Sequence, residues 1–317
     1  MSLKTFITGA TGFAGRHLMR IFQEKGLEIF GTAYPQKPSQ AGDLPEGDFY
    51  HLDIRDASSL LDLIKKIKPD WIFHLAAVSN VRHSWDKRME TLETNLSGTF
   101  NLFEAVRKGF SKARILYVSS SDVYGVLPSR QKPLKENDST YIMNPYAFTK
   151  VSGEMLSTFY SVIEGMNIIV ARPFPHTGPG QTPDFVCSDW ASQVARIEKG
   201  RQEPIIRVGN LEIQRDFSDV RDVARAYFIL MENAKKGEIY NVCSGRIRSL
   251  REILDKLLSF SSKPIEIQVD SHRLRKVDIF HLGGDNSKIR EQVSWEPEIP
   301  FEQTLLDLLD YWRQKVR

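Results

Sequence analysis

Apolar positions in the first half of the chain alternate between short continuous runs and helical stripes. Leu3 to Thr8 is an apolar run that ends in a glycine-rich turn, the pattern of a buried parallel strand. From Phe13 to Glu24, Leu18, Met19, Ile21 and Phe22 recur at helical spacing. Glu28 to Ala33 and Phe49 to Leu52 read as strands. Leu60, Leu61, Leu63, Ile64 and Ile67 mark a helix that stops before Pro69. Trp71 to Leu75 is a fourth strand. A long helix is expected from Met89 to Lys108, a strand from Arg114 to Ser119, a helix from Tyr146 to Glu164 and a strand from Asn167 to Arg172. Strict alternation of this kind predicts an α/β fold with a doubly wound parallel sheet over residues 1–172.

The rhythm changes after Pro173. Pro173, Pro175, Pro179 and Pro183 fall close to Gly178 and Gly180, so this stretch is loop. Beyond it the elements alternate less regularly. Leu250, Ile253, Leu254, Leu257 and Leu258 form one apolar stripe; Leu305, Leu306, Leu308, Leu309 and Trp312 form another. Both read as core faces of helices. They predict a second, smaller α/β lobe over residues 173–317, packed on the sheet, with some segments returning to it.

Composition adds little beyond exclusions. The net charge of +3 gives no argument for nucleic acid or an anionic membrane as partner. Cys187 and Cys243 fit neither a disulfide framework nor a metal site, which suits a reducing, cytoplasmic setting. The N-terminal apolar stretch is too short for a signal peptide or a membrane span.

The chemistry begins at Gly9-Ala10-Thr11-Gly12-Phe13-Ala14-Gly15, between the first strand and the first helix. Glycines there permit a tight turn and close approach of a pyrophosphate, and the helix supplies unpaired N–H groups and a positive dipole end. In that context the turn predicts a dinucleotide-binding (Rossmann) domain. The second strand ends Gly31-Thr32-Ala33-Tyr34-Pro35-Gln36-Lys37. No carboxylate stands there to repel a 2′-phosphate, and Lys37 could pair with one, which favours NADP, with NAD as the alternative. Asp53, after the third strand, could hold the adenine amino group or serve as a turn or N-cap carboxylate.

Tyr146 and Lys150 lie four apart after Asn144-Pro145, on one helical face. A tyrosine titrates near ~10, and lowering that by about three units needs ~4 kcal/mol. One ammonium about 4 Å away at an effective dielectric of ~20 supplies that order. The pair is therefore expected to be an acid/base unit with an acidified phenol. Ser120, at the end of the fifth strand, would face the cofactor crevice and orient a carbonyl.

These residues resemble the extended short-chain dehydrogenases/reductases of the nucleotide-sugar epimerase/dehydratase group. The matching pieces are Thr8 through Gly15, His74 through Ala77, Asn95, Ser119 through Gly125, and Asn144 through Lys150. The resemblance implies that Leu75, Ala76 and Ala77 line the cofactor, together with Ile54 beside Asp53. It makes Ser120, Tyr146 and Lys150 catalytic, and it gives Asn95 a part in sheet–helix packing. It makes the smaller lobe the substrate-binding lobe.

Val208-Gly209-Asn210, Arg215-Asp216-Phe217 and Arg273 are similar to the branch that holds GDP-mannose dehydratases and GDP-4-keto-6-deoxy-sugar reductases. By that likeness Ser84, Arg172, Pro175, Val208, Asn210, Arg215 and Arg273 border the substrate, with Arg215 and Arg273 near its diphosphate. Three departures stand out. Pro175 replaces a common substrate-contacting asparagine, Leu274-Arg275-Lys276 replaces the usual residues after Arg273, and Asp122 replaces the glutamate base of the dehydratases. A reductase needs Ser120, Tyr146 and Lys150 alone, whereas a dehydratase also needs Asp122 as a base. The expectation is an NADPH-dependent reductase of a GDP-linked 4-keto-6-deoxy sugar or another nucleotide sugar. Dehydratase, 4-epimerase and a non-catalytic NADP-binding sensor are the alternatives. The resemblance also implies a homodimer through the Met89–Lys108 and Tyr146–Glu164 helices.

Overall fold

A computed structural model of the chain describes residues 2–34, 46–125, 132–273 and 279–316. The first half follows the alternation read from the sequence: β1 (Lys4–Thr8), α1 (Phe13–Glu24), β2 (Glu28–Ala33), β3 (Asp48–His51), α2 (Ala57–Ile67) and β4 (Trp71–His74). Asp56, not Asp53, caps α2, accepting from the amides of Ser58 and Ser59. Two short helices follow, α3 (Val81–Asp86) and α4 (Arg88–Leu92), then α5 (Gly98–Gly109), β5 (Arg114–Val118), α6 (Pro145–Val162) and β6 (Asn167–Pro173).

The helix expected from Met89 to Lys108 is interrupted. A π-helical turn at Glu93–Ser97 joins α4 to α5. Its wide turn carries Asn95 inward, where its side chain accepts from the Val78 amide at 2.7 Å and donates to the Val78 carbonyl and the Thr149 hydroxyl. The extra residue thus ties the β4–α3 loop to α6.

The second half comprises β7 (His176–Thr177), α7 (Val186–Glu198), β8 (Ile205–Val208), β9 (Gln214–Asp216), β10 (Ser218–Asp219), α8 (Val220–Asn233), β11 (Ile239–Val242), β12 (Ile247–Ser249), α9 (Leu250–Leu258), β13 (Glu266–Val269), β14 (His281–Leu282), α10 (Ser287–Val293) and α11 (Phe301–Lys315). The central sheet has the order β11-β6-β5-β4-β1-β2-β3, with every pairing parallel. Residues 220–242 therefore return to the first lobe: β11 pairs with β6, and α8 packs on α1. The order reverses between β1 and β4, which opens a crevice at the carboxyl ends of those strands.

One core lies on each face of the sheet. Leu18, Phe22, Phe73, Tyr227 and Trp295 fill one, and Leu60, Ile64, Phe103, Ile115 and Tyr160 the other. The smaller lobe has its own core. There Leu250, Ile253, Leu254 and Leu257 of α9 meet Leu305, Leu308 and Leu309 of α11 around Trp190 of α7. Its strands pair as β12-β9-β14 and β13-β8. Among the described residues no helix is long and apolar enough to cross a membrane.

Candidate active site

The phosphate turn lies at the sheet's point of reversal. Gly9 has φ +72°, and a Cβ there would lie 2.9 Å from the backbone of Ala76. Only a glycine accepts both that φ and that approach. Gly12 stands at the N-cap of α1, and no side chain caps the first turn. The Gly12 amide donates to the Gly9 carbonyl at 3.0 Å, and the Phe13 and Ala14 amides that follow, in the first turn of α1, can cradle an anion. The Thr11 carbonyl accepts from Arg16, and Gly15 is buried against the turn. The Ala76 amide donates to the Thr8 hydroxyl, which also bonds the ring of His74 at 2.7 Å; the ring's other nitrogen meets Thr99 at 2.9 Å. Burial pushes His74 down to about 3, so this histidine is a neutral strut. Leu75, Ala76 and Ala77 then form one wall of the crevice, half-buried.

At the adenine end, Ile54 is buried and Asp53 faces an open cleft of about 540 Å³. Asp53 is already held by Arg55, whose Nη2 and Nε reach its two oxygens at 2.6 and 3.1 Å and keep its carboxyl below the usual range. Arg55 also reaches the Tyr34 hydroxyl at 3.3 Å. The sequence reading missed Arg55, because its proximity to Tyr34 exists only once β2 and β3 pair. Lys37 lies outside the described residues.

The acid/base group gathers where β5 meets α6. Asn144 caps α6 through the Ala147 amide at 2.7 Å, and Pro145 opens the helix. Tyr146 and Lys150 follow on one face. Tyr146 is buried, and its side chain shares a hydrogen bond with Ser120. Ser120 caps a 3₁₀ turn at Ser121–Tyr124, accepting from the Asp122 amide at 3.1 Å. The Lys150 ammonium donates to the Val118 carbonyl at 2.7 Å and lies 5.7 Å from the centre of the Tyr146 ring.

One expectation is reversed here. Burial, reinforced by the Asp122 carboxylate and opposed by Ser120, holds the Tyr146 phenol above its ordinary value. The Lys150 ammonium, 5.7 Å from the ring centre and hydrogen-bonded to a backbone carbonyl, does not outweigh this burial. Burial pushes Lys150 itself down to about 8, against the pull of Glu154.

The expected substrate contacts divide. Val208 and Arg273 lie on neighbouring segments: the Val208 carbonyl accepts from the Asp270 amide, and a Cβ added at Gly209 would stand 2.8 Å from the Arg273 carbonyl oxygen. Arg273 pairs with Asp189 at 2.6 Å. Leu274-Arg275-Lys276 lies outside the described residues. Arg215 on β9 stands opposite Arg248 of β12. The carboxylates beside it are engaged elsewhere, Asp216 with the Ser244 and Gly245 amides and Asp219 with Arg221. Pro175 is half-buried, and its carbonyl accepts from the Ser218 amide.

Four of the expected substrate residues are engaged within the protein itself. Arg172 is buried in a bidentate pair with Glu154, at 2.9 and 2.7 Å, so its charge is spent inside the protein. Ser84 is fully buried and its hydroxyl donates to the Val81 carbonyl at 2.7 Å, within its own helix. The Val208 side chain is fully buried in the core of the smaller lobe. Asn210 caps its own turn through the Glu212 amide.

Comparison with known proteins agrees with this geometry. The family profile described as GDP-mannose 4,6 dehydratase matches residues 6–308. The chain is 35% identical to a GDP-6-deoxy-D-mannose reductase of Pseudomonas aeruginosa, covering 100% of this chain and 99% of that protein. It is 26% identical to a GDP-mannose 4,6-dehydratase of Yersinia enterocolitica, over 96% of this chain and 92% of the other. Among solved structures it is similar to RMD from Pseudomonas aeruginosa complexed with NADPH, with TM-score 0.87 and 33% identity over 99% and 100% of the two chains. With a match that runs nearly end to end, the chain belongs to the GDP-mannose 4,6-dehydratase family of the extended short-chain dehydrogenases/reductases.

Proposed function

We propose that the chain is an NADPH-dependent reductase of a GDP-linked 4-keto-6-deoxy sugar. The observation that carries the reading is the meeting of the buried Tyr146 with Ser120 and Lys150 where β5 meets α6, which lets a phenol give its proton to a carbonyl oxygen held by the serine. Full-length similarity to a GDP-6-deoxy-D-mannose reductase, at 35% against 26% for a dehydratase, supports the same choice.

The Gly9–Gly15 turn fits a dinucleotide pyrophosphate, since Gly9 turns the chain at positive φ tight against Ala76 and delivers it to the uncapped N-terminus of α1. NADPH bound there supplies a hydride for the C4 carbonyl carbon. Ser120 donates a hydrogen bond to the carbonyl oxygen, and Tyr146 gives its proton to the alkoxide as it forms. Lys150 provides positive charge beside the phenolate left behind. Arg215 and Arg273 would hold the diphosphate, Arg273 sharing its guanidinium with Asp189.

The test is turnover with two substrates. GDP-4-keto-6-deoxymannose should consume NADPH in a one-to-one ratio, and GDP-mannose alone should yield no 4-keto product. Conversion of GDP-mannose would establish the dehydratase reading in its place. Asp122→Asn sharpens the choice: it should leave reduction within about tenfold of wild type, whereas a dehydratase losing its base would fall ~10²-fold or more.

The active form proposed is a homodimer. Phe148, Met155, Phe159 and Val162 form one stripe on α6, each between 43% and 71% exposed, and Met89 and Phe100 stand on the neighbouring α4 and α5. An apolar surface of this extent suits a second copy of the same face. Light scattering should show a dimer that Phe159→Glu converts to monomer; a monomeric wild type would contradict the proposal.

A further inference from the structure

Tyr146, Lys150 and Glu154 follow one another at four-residue spacing along α6. The first two belong to the reaction proposed above. Glu154 is deeply buried and faces away from the crevice toward Arg172 of β6, with side-chain exposures of 8% and 4%. Their two parallel hydrogen bonds are not explained by stability alone, because apolar residues of similar volume often serve as well at such a place.

The partners of this ion pair suggest its use. Glu154 also accepts from the Ser119 hydroxyl at 2.5 Å. Arg172 donates to the Tyr124 hydroxyl at 3.0 Å and to the Glu136 carbonyl at 3.1 Å, and Tyr124 donates in turn to Asn241 at 2.6 Å. Ser119 immediately precedes Ser120, and Tyr124 ends the short turn that Ser120 caps. Both flanks of the Ser120 turn are therefore fastened to one buried pair. Next to them, Lys150 is fastened to the Val118 carbonyl.

We infer that Glu154, joined to Arg172, is a positioning residue that fixes the Ser120 turn against the Tyr146–Lys150 helix and sets a carboxylate one helical turn beyond Lys150. The inference rests on the reductase reading for its kinetic consequences only. Several groups face Lys150. From β5 comes Tyr117, whose ring centre lies 5.3 Å from the ammonium; from β4 comes neutral His74; from its own helix come Tyr146 and Glu154. Asp122, on the Ser120 turn, faces Tyr146. Glu154 is the carboxylate that follows Lys150 by one turn on the same helix, and its charge opposes the burial that pushes Lys150 down.

The experiment uses the full-length enzyme and compares wild type with Glu154→Gln, Glu154→Asp and the double variant Glu154→Gln/Arg172→Met. Glu154→Gln should lower kcat at least ~10-fold with both KM values nearly unchanged, since a displacement of about 1 Å at reacting groups costs on that order or more. Its alkaline limb should move to lower pH. It also leaves Arg172 buried without a counter-charge and can reduce the yield of folded protein. The double variant removes both charges, so its melting temperature should recover while the lost kcat and the displaced limb do not. Glu154→Asp keeps the charge and should restore the limb with only part of kcat. A double variant with wild-type kcat and an unmoved limb would reduce the pair to a structural one and overturn the inference. Lys150 is also titrated by NMR in the substrate-free double variant and wild type. A lower midpoint in the variant supports the inference and an equal midpoint overturns it, even if the sugar nucleotide proves not to be the substrate.

Discussion

Gly153→Ala should disable the enzyme although the residue touches no substrate. Gly153 lies on α6 between Lys150 and Glu154, where the helix crosses β5. A Cβ added there would stand 2.0 Å from the Tyr117 hydroxyl oxygen and 2.4 Å from the ring carbon that bears it. Both distances fall more than 1 Å short of ordinary contact. Tyr117 cannot swing aside. It is buried in the middle of the sheet, with the rings of His74 and Phe103 at 5.9 and 6.3 Å. The helix must retreat instead, and it carries Tyr146 and Lys150 with it. Overpacking of this kind costs about 1–3 kcal/mol, and displacing reacting groups by about 1 Å costs on the order of 10²-fold in rate. Steady-state kinetics with NADPH and the keto sugar, paired with thermal unfolding, measure both. Tyr117→Phe should not rescue the variant, because the ring carbon stays in place; Tyr117→Leu should recover much of the rate. A folded Gly153→Ala enzyme with wild-type kcat would refute the argument that this close approach sets the acid/base geometry.

Two further outcomes follow from the electrostatics. Lys150, pushed down to about 8, is cationic below that pH and neutral above it. Reduction should therefore fall as pH rises through about 8, while Tyr146 stays protonated throughout; a kcat/KM profile flat from about 7 to about 9.5 would contradict this. Asp222 is buried at the start of α8 and accepts from the amides of Glu298 and Ile299 at 3.1 and 2.9 Å and from Arg225 at 2.9 Å. Asp222→Ala should lower stability by about 3 kcal/mol in urea denaturation while the folded fraction keeps its kcat.

The first lobe was legible because parallel strands buried on both faces are nearly continuous apolar runs, and because its helices show one apolar face each. The bounds read for α1 and β2 are those observed. The π turn was not legible. It displaces the helical period by one residue, and its cause, Asn95 reaching Val78, is a contact between segments. The strands of the smaller lobe run two to four residues and pair across long separations, as β9 does with β12 and β14, so no period marks them.

In the site, residue types were easier to read than burial. Tyr146, Lys150 and Ser120 meet as their spacing suggested. The direction of the Tyr146 shift was misjudged because the ammonium is visible in sequence and the loss of solvent is not. Arg172 was misassigned for the same reason. An arginine at a strand end looks alike whether it faces a phosphate or an internal carboxylate such as Glu154.

The decisive measurement is Tyr146→Phe, assayed for NADPH binding by fluorescence and for reduction of GDP-4-keto-6-deoxymannose. With the proton donor removed and the ring retained, turnover should drop by about 10²- to 10⁴-fold while the dissociation constant for NADPH stays near that of wild type. Turnover close to wild type would show that some other group protonates the sugar oxygen, and the account built on this phenol would be wrong.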